Sequence, residues 1–149
     1  MSTRAIIRFA TRESGVSFSE HPEKWHAQFY KHADGYVESL GLDIANSIVD
    51  RQVLDEIEID ELTVWHRDAQ YCYYIWQHFE KGTWISIFKI NQSFECDHCD
   101  KSKDIPDKCI FVGTAQDLQE KIRKLGSFGK FDHNWNGDKI TCVDVEDTN

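Results

Sequence analysis

The stretch Trp25–Val49, WHAQFYKHADGYVESLGLDIANSIV, decides the fold, because it contains a strand, a tight turn and a helix in succession. Over its first part the residues alternate: Trp25, Ala27 and Phe29 lie on one side, and the residues between them lie on the other. Alternation with a period of two is typical of a β-strand. The sequence therefore predicts a strand that ends at Lys31.

A turn follows at Asp34-Gly35. Glycine accepts a positive φ angle and aspartate bonds to nearby backbone groups, so this pair is typical of a tight turn. We expect Gly35 to have a positive φ angle and Asp34 to cap the helix that comes next. The helix itself is indicated by apolar residues at helical spacing, namely Val37, Leu40, Ile44 and Ile48.

The junction between this strand and helix resembles a motif in a known group of proteins. The matching residues are Lys31, His32, Asp34, Gly35 and Tyr36. They are similar to the opening of small uncharacterised proteins from phages and bacterial mobile elements, where a hairpin ends in Arg/Lys-His-x-Asp-Gly-Tyr-Pro and enters a helix. The likeness extends over Arg4–Ile48, and Val37 stands where the pattern has proline. The resemblance implies an α+β fold and a phage-related accessory or inhibitor role, and it implies no activity.

The same junction is a candidate site. His32, Asp34 and Tyr36, with Lys31 beside them, are residue types that can transfer protons. No serine or cysteine nucleophile accompanies them in a recognisable motif. In the alternative interpretation Asp34 caps the helix, while Lys31 and His32 lie at the end of a strand. We therefore expect a binding role for these four residues, with a small enzyme as the alternative.

The remaining strands and the second helix are predicted from the periodicity of the apolar residues and from the positions of turn residues. They are strands at Ala5–Ala10, Leu62–Trp65, Tyr71–Phe79, Thr83–Ile90, Cys109–Gly113 and Lys139–Val145, and a helix over 118–125 behind the capping-box sequence Thr114–Asp117. The acidic run in Arg51–Glu61 is expected to be solvated, and residues 91–108 to be irregular. This order predicts one α+β domain, residues 1–149, with a mainly antiparallel sheet of about six strands and two helices on one face.

Charge and composition narrow the function classes. The 149 residues carry a net charge of −9, and residues 1–31 are locally positive at +2, which leaves −11 for the remainder. Such a surface disfavours direct binding to nucleic acid and favours basic protein partners or simple solubility. The sequence contains neither a signal peptide nor a long apolar run, so we expect a cytoplasmic protein with no membrane span.

The five cysteines raise the question of a metal. Cys96 and Cys99 form a Cys-x-x-Cys pair, and Cys109 follows, which gives three candidate ligands for a structural zinc ion. A fourth ligand would come from His98, His133 or Cys142. A reversible disulfide and inert thiols in a reducing compartment are the alternatives.

The hairpin predicted over residues 71–90 is apolar on both faces. One face of its first strand carries Tyr74 and Trp76, and its second strand adds Trp84 to that face. Either helices and loops cover the two faces, with residues 126–138 as a lid, or one face docks onto a partner protein or a second copy. We expect a small acidic non-enzymatic protein-binding module, with an enzyme at Lys31–Tyr36 or a zinc-stabilised binding domain as the alternatives.

Overall fold

The structure is a computed structural model that describes residues 3–11, 20–78, 80, 82–90, 94–96, 101–103 and 107–125. Only the backbone is described for residues 94–96, 101–103 and 125. The strands are β1 (Arg4–Thr11), β2 (Lys24–Lys31), β3 (Ile57–Asp60), β4 (Ala69–His78), β5 (Gly82–Lys89), β6 (Phe94–Cys96), β7 (Lys101–Lys103) and β8 (Lys108–Thr114). A π-helical segment (Val37–Gly41) runs into α1 (Leu42–Val49), and α2 spans Ala115–Leu125.

Six strands form one mixed sheet in the order β3-β2-β1-β4-β5-β8. All neighbours are antiparallel except β1 and β4, which are parallel. The parallel pair arises because residues 61–68 carry the chain across the sheet, from the end of β3 to the start of β4. Strand β4 then runs in the direction of β3 and therefore of β1.

The predictions for local segments are largely confirmed. The β1–β2 and β4–β5 pairs are antiparallel, and β8 covers the predicted strand at Cys109–Gly113. The capping box is confirmed too: the Asp117 N–H donates to Thr114 Oγ1 at 3.1 Å, and the Thr114 N–H donates to Asp117 Oδ2 at 3.4 Å. These features are formed by residues that are close in the chain, so the sequence alone is enough to predict them.

Two predictions about segments are wrong. The strand expected at Leu62–Trp65 lies instead at Ile57–Asp60, inside the acidic run, and residues 62–65 belong to the crossing connection. The irregular stretch 91–108 contains the paired strands β6 and β7. The strand expected at Lys139–Val145 and the loop 126–138 lie outside the described residues.

An apolar core lies on each face of the sheet. We call the two faces the Tyr73 face and the Tyr74 face, after a buried tyrosine of β4 on each. On the Tyr73 face, residues of β1, β4, β5 and β8 share one buried cluster with both helices, including Ile7, Tyr73, Ile85, Leu40, Ile44, Leu118 and Ile122. On the Tyr74 face the cluster includes Ile6, Tyr30, Cys72, Tyr74, Trp76, Phe88 and Cys109. Since successive residues of a strand point to opposite faces, a strand segment buried on both sides is mainly apolar or aromatic, as residues 71–76 of β4 are.

The turn before the helix differs from its prediction. The residue with positive φ is Asp34, at 57°, and Gly35 does not share this conformation. Tyr36 occupies the position before the helix and makes no side-chain cap, so Asp34 does not cap it. Gly35 is needed for another reason: a Cβ atom there would lie 2.8 Å from Ala5 Cβ and 3.0 Å from the Thr3 carbonyl oxygen.

Candidate functional site

Strand β3 lies at one end of the six-stranded sheet, and no strand of the described residues pairs with its outer side. It is four residues long and is bonded to β2 along its inner side. The outer side of an edge strand presents backbone N–H and C=O groups on which another chain can form hydrogen bonds. Strand β3 is therefore a place where this fold can accept a partner.

Exposed apolar side chains occur in β3 and in the segments that precede and follow it in the chain. Among the residues that the structure describes, four large apolar side chains are exposed: Val53 (84%), Ile59 (85%), Leu62 (42%) and Trp65 (43%). All four lie in β3 or in the segments directly before and after it. A single exposed apolar residue is ordinary, whereas a group of them in one part of a surface is typical of an interaction site.

The exposed apolar residues flank both faces of the edge. Ile59 is paired with Phe29, which packs against the core of the Tyr73 face. On the Tyr74 face, the Leu62 carbonyl accepts a 2.9 Å hydrogen bond from Trp25 Nε1, and the Trp65 ring lies 5.2 Å from the Arg8 guanidinium. We call β3 together with Val53, Leu62 and Trp65 the β3 surface.

Acidic residues give the β3 surface its charge. Five carboxylates lie between residues 55 and 61: Asp55, Glu56, Glu58, Asp60 and Glu61. The side chains of Glu56 and Glu58 are 84% and 63% exposed. A group of negative charges at one edge attracts a positively charged partner and repels an acidic one.

Two of the predicted junction residues lie against this acidic segment. Lys31 is buried, and its Nζ atom is 3.2 Å from the Asp55 carbonyl oxygen and 3.7 Å from Glu56 Oε2. His32 is largely exposed, and its Nε2 atom lies 3.0 Å from Glu58 Oε2. The structure thus brings both residues next to β3.

The other two junction residues have different surroundings. Asp34 is exposed in the turn, and Tyr36 is half-buried against the core of the Tyr73 face. The four residues that the sequence grouped are therefore divided among the acidic segment, the turn and the core.

A polar network under the crossing connection holds β3 in place. The side-chain nitrogen of Gln28, a buried residue, donates to the Val64 carbonyl at 2.7 Å and to Asp60 Oδ2 at 3.2 Å. His66 Nε2 lies 2.6 Å from the same carboxylate oxygen of Asp60, and its ring stacks on Tyr30 at 3.7 Å. Burial, and then the neighbouring Asp68 carboxylate, raises the pKa of Tyr30 to about 12.

The network continues across the Tyr74 face through Arg8, which is only 5% exposed. Arg8 Nε donates to Gln28 Oε1 at 2.8 Å, and its Nη1 donates to the Tyr74 hydroxyl at 2.9 Å. His21 lies between Tyr74 and Asp107, with its Nδ1 2.7 Å from the hydroxyl oxygen and its Nε2 2.7 Å from Asp107 Oδ2. Because arginine can only donate, the Tyr74 oxygen accepts the hydrogen bond from Arg8.

This carboxylate–histidine–hydroxyl arrangement resembles a catalytic triad in its order of groups. Its hydroxyl, however, is completely buried, and burial raises the pKa of Tyr74 well above the ordinary value, so the phenol keeps its proton. A nucleophile would need the opposite environment. The arrangement therefore fixes segment 20–23 and Asp107 onto the sheet rather than activating Tyr74.

Sequence reasoning missed this network. Its members are far apart in the chain: Arg8, His21, Gln28, Asp60, His66, Tyr74 and Asp107. One local signal was present, because Arg8 alternates with Ile7 and Phe9 in a strand and shares its side with Ile6 and Ala10. A charged residue among apolar residues on one side of a strand indicates a buried charge with polar partners.

The aromatic hairpin is core rather than a docking surface. Tyr74 and Trp76 are buried, at 0% and 3% exposure, and Trp84 is half-buried. The Trp76 indole donates a 2.8 Å hydrogen bond to Ser86 Oγ, and the His78 ring stacks on Trp84 at 4.4 Å. Of the two alternatives for this face, docking through Tyr74 and Trp76 does not hold, because both side chains are covered within one chain.

The zinc prediction stays a prediction. Cys99 lies outside the described residues, and only the backbone of Cys96 is described. Cys109 is buried, and its thiol donates to the Phe111 carbonyl at 3.6 Å. Within the described part of the chain, no group of three or more His, Cys, Asp or Glu side chains could hold a metal ion.

None of the helices in the described residues has the length and apolar character needed to cross a membrane. Comparison of the chain with protein-family models, with curated proteins and with solved structures finds no match.

Proposed function

We propose that this protein is a small acidic non-enzymatic module that binds a basic segment of another protein at the β3 surface. The observation that carries the proposal is the position of Val53, Ile59, Leu62 and Trp65, the large apolar side chains that remain exposed in the described structure. Covering them removes apolar area from water, and full burial of one such side chain is worth about 1.5–3 kcal/mol.

The acidic residues decide which kind of partner fits. Glu56 and Glu58 are largely exposed beside Ile59, so a cationic partner gains both attraction and a faster encounter. A second copy of the chain would bring the same carboxylates together at the interface. A heterologous basic protein is therefore favoured over the homodimer.

An enzyme at Lys31–Tyr36 has less support. The amine of Lys31 is buried between the Asp55 carbonyl and Glu56, and His32 pairs with Glu58 at the surface. Both side chains thus help to fix the acidic segment that would meet the partner. An accessory or inhibitor protein that acts by occupying its target suits this arrangement. A reducing compartment such as the cytoplasm suits it also, since Cys72 is a free and buried cysteine.

Site-specific photo-crosslinking tests the proposal. A photoreactive residue at position 59 is compared with one at Gln116, an exposed position on α2. We expect a basic protein from the host cell to crosslink from position 59 and not from position 116. The purified partner should then bind Ile59→Ser at least about tenfold more weakly than wild type, a loss typical of an interface anchor. Equal crosslinking from both positions, or equal affinity for Ile59→Ser, would refute the proposal.

A further inference from the structure

We propose that the partner adds an extended strand to the outer side of β3, with apolar and basic side chains in alternation. This inference rests on the proposed function and adds the mode of recognition. Its first support is topological: β3 is bonded to β2 on one side only, within the described residues. A strand added to such an edge gains main-chain hydrogen bonds for affinity and alternate side-chain contacts for specificity.

The register of β3 defines what the added strand would meet. Ile59 is paired with Phe29 and so lies toward the Tyr73 face. Glu58 is paired with Tyr30 and lies toward the Tyr74 face. A strand next to β3 therefore has an apolar neighbour on one face and an exposed carboxylate on the other. Cross-strand pairs of matching character stabilise a sheet, so the complementary sequence alternates Val, Ile or Leu with Lys or Arg.

The conformation before β3 limits the length of this pairing. Glu56 has a φ angle of 58°, which is outside the range of extended backbone, and it directly precedes Ile57. Regular pairing on the outer side can therefore begin only at Ile57, and it extends over the four residues of β3. So short a strand requires that side-chain contacts contribute much of the affinity.

The acidic residues argue against a second copy as the added strand. Edge pairing of two β3 strands would place Glu58 and its acidic neighbours of both chains within one short interface. Like charges facing each other across strands destabilise pairing, and natural proteins use charged edges to prevent self-association. Basic side chains in the partner convert this repulsion into attraction.

The test uses a synthetic peptide of about ten residues in which Val and Lys alternate, titrated into the whole protein. In any strand, the N–H groups of alternate residues point to the same edge. One peptide is therefore N-methylated at every valine and a second at every lysine, and both keep the charge of the parent. We expect the unmethylated parent peptide to shift the NMR amide resonances of residues 57–60. One of the two methylated peptides should bind at least about tenfold more weakly than the parent, and the other should bind like the parent.

Three results would overturn strand addition. The first is that both methylated peptides bind equally well, and the second is that the resonances of residues 57–60 do not respond to the parent peptide. The third is that the protein sediments as a dimer which the substitution Ile59→Lys dissociates. The first two results do not bear on whether a natural partner binds through Ile59, so they contradict this inference and not the proposed function, whereas the dimer contradicts both. A Val and Glu peptide is the charge control, and we expect it to leave these resonances unchanged.

Discussion

The hydroxyl of Tyr73 donates a 2.6 Å hydrogen bond to the carbonyl oxygen of Gly35. Tyr73 is completely buried in the centre of the sheet, and Gly35 lies in the turn that leads into the helix. The Gly35 N–H also donates to the Thr3 carbonyl at 2.9 Å, so both polar backbone groups of this glycine have partners. The turn is therefore fixed by its hydrogen bonds to Thr3, directly before β1, and to Tyr73 of β4 rather than by its own sequence.

Substitution of Gly35 is expected to destabilise the fold through overpacking. The Cβ atom of Gly35→Ala would lie 2.8 Å from Ala5 Cβ, so the backbone must shift, and such strain costs about 1–3 kcal/mol. Tyr73→Phe should cost a similar amount, about 1–3 kcal/mol, because it leaves the buried Gly35 carbonyl without its donor. Urea unfolding followed by circular dichroism measures both. A loss below about 0.5 kcal/mol for Gly35→Ala would contradict the close approach, since this is the usual range of surface changes.

Asp34 should respond to substitution in the opposite way from a capping residue. Its φ angle of 57° is costly for residues with a Cβ atom and less so for glycine. We expect Asp34→Gly to be as stable as wild type or more so, and Asp34→Ala to be less stable than Asp34→Gly. If Asp34 capped the helix, both changes would remove the cap and both would lower the free energy of unfolding. Thermal unfolding of the two variants side by side decides between these outcomes.

Arg8 is expected to be the most sensitive polar residue of the Tyr74 face. Arg8→Ala removes the groups that donate hydrogen bonds to Gln28 Oε1 and to the Tyr74 hydroxyl. It also removes the guanidinium that lies 3.7 Å from the Trp25 ring. Each buried group left without a partner costs about 1–3 kcal/mol, and the lost packing adds to this. Arg8→Met is the matched control, since it keeps most of the side-chain volume. We expect Arg8→Ala to unfold at the lower denaturant concentration, and equal midpoints would show that packing around Arg8 contributes nothing.

The buried tyrosines predict how stability changes at alkaline pH. Tyr30 has a pKa of about 12 in the folded protein, against 10.0 for an ordinary tyrosine, and burial also raises the pKa of Tyr74. Above pH 10 the unfolded chain releases protons that the folded chain keeps. The free energy of unfolding should therefore fall as pH rises from about 10 to about 12. Tyr30→Phe should make the free energy of unfolding fall less steeply with pH over this range. Tyrosinate absorbance from Tyr30 that develops near pH 10 in the folded protein would contradict the raised pKa of Tyr30.

The comparison of sequence with structure separates local from long-range information. The hydrophobic periodicity and the turn residues were sufficient to predict the β4–β5 hairpin and the capping box at Thr114, because each depends on residues close in the chain. They could not predict that β4 pairs parallel to β1, since this depends on where residues 61–68 cross the sheet. The alternation of Tyr74 and Trp76 gave the correct face of the strand. It contained no information about which segments cover that face.

The candidate site was harder to predict than the fold. The acidic run was expected to be solvated, which is correct for Glu56 and Glu58, but charge patterning does not predict a strand there. Strand β3 forms because Ile57 and Ile59 pair with residues of β2 that lie 26 or more positions earlier in the chain, and because Ile57 packs against the core. Lys31 and His32 were singled out for their chemistry, and their position beside β3 became evident only once β2 and β3 were paired.

The central claim is that the β3 surface binds a basic protein partner. The most direct measurement is the affinity of the partner captured at position 59 for two variants, Ile59→Ser and Gln116→Ser, by isothermal titration calorimetry. Both positions are exposed, so neither change should alter the fold. The account predicts that Ile59→Ser weakens binding at least about tenfold while Gln116→Ser binds like wild type. Equal affinities of the two variants would contradict it.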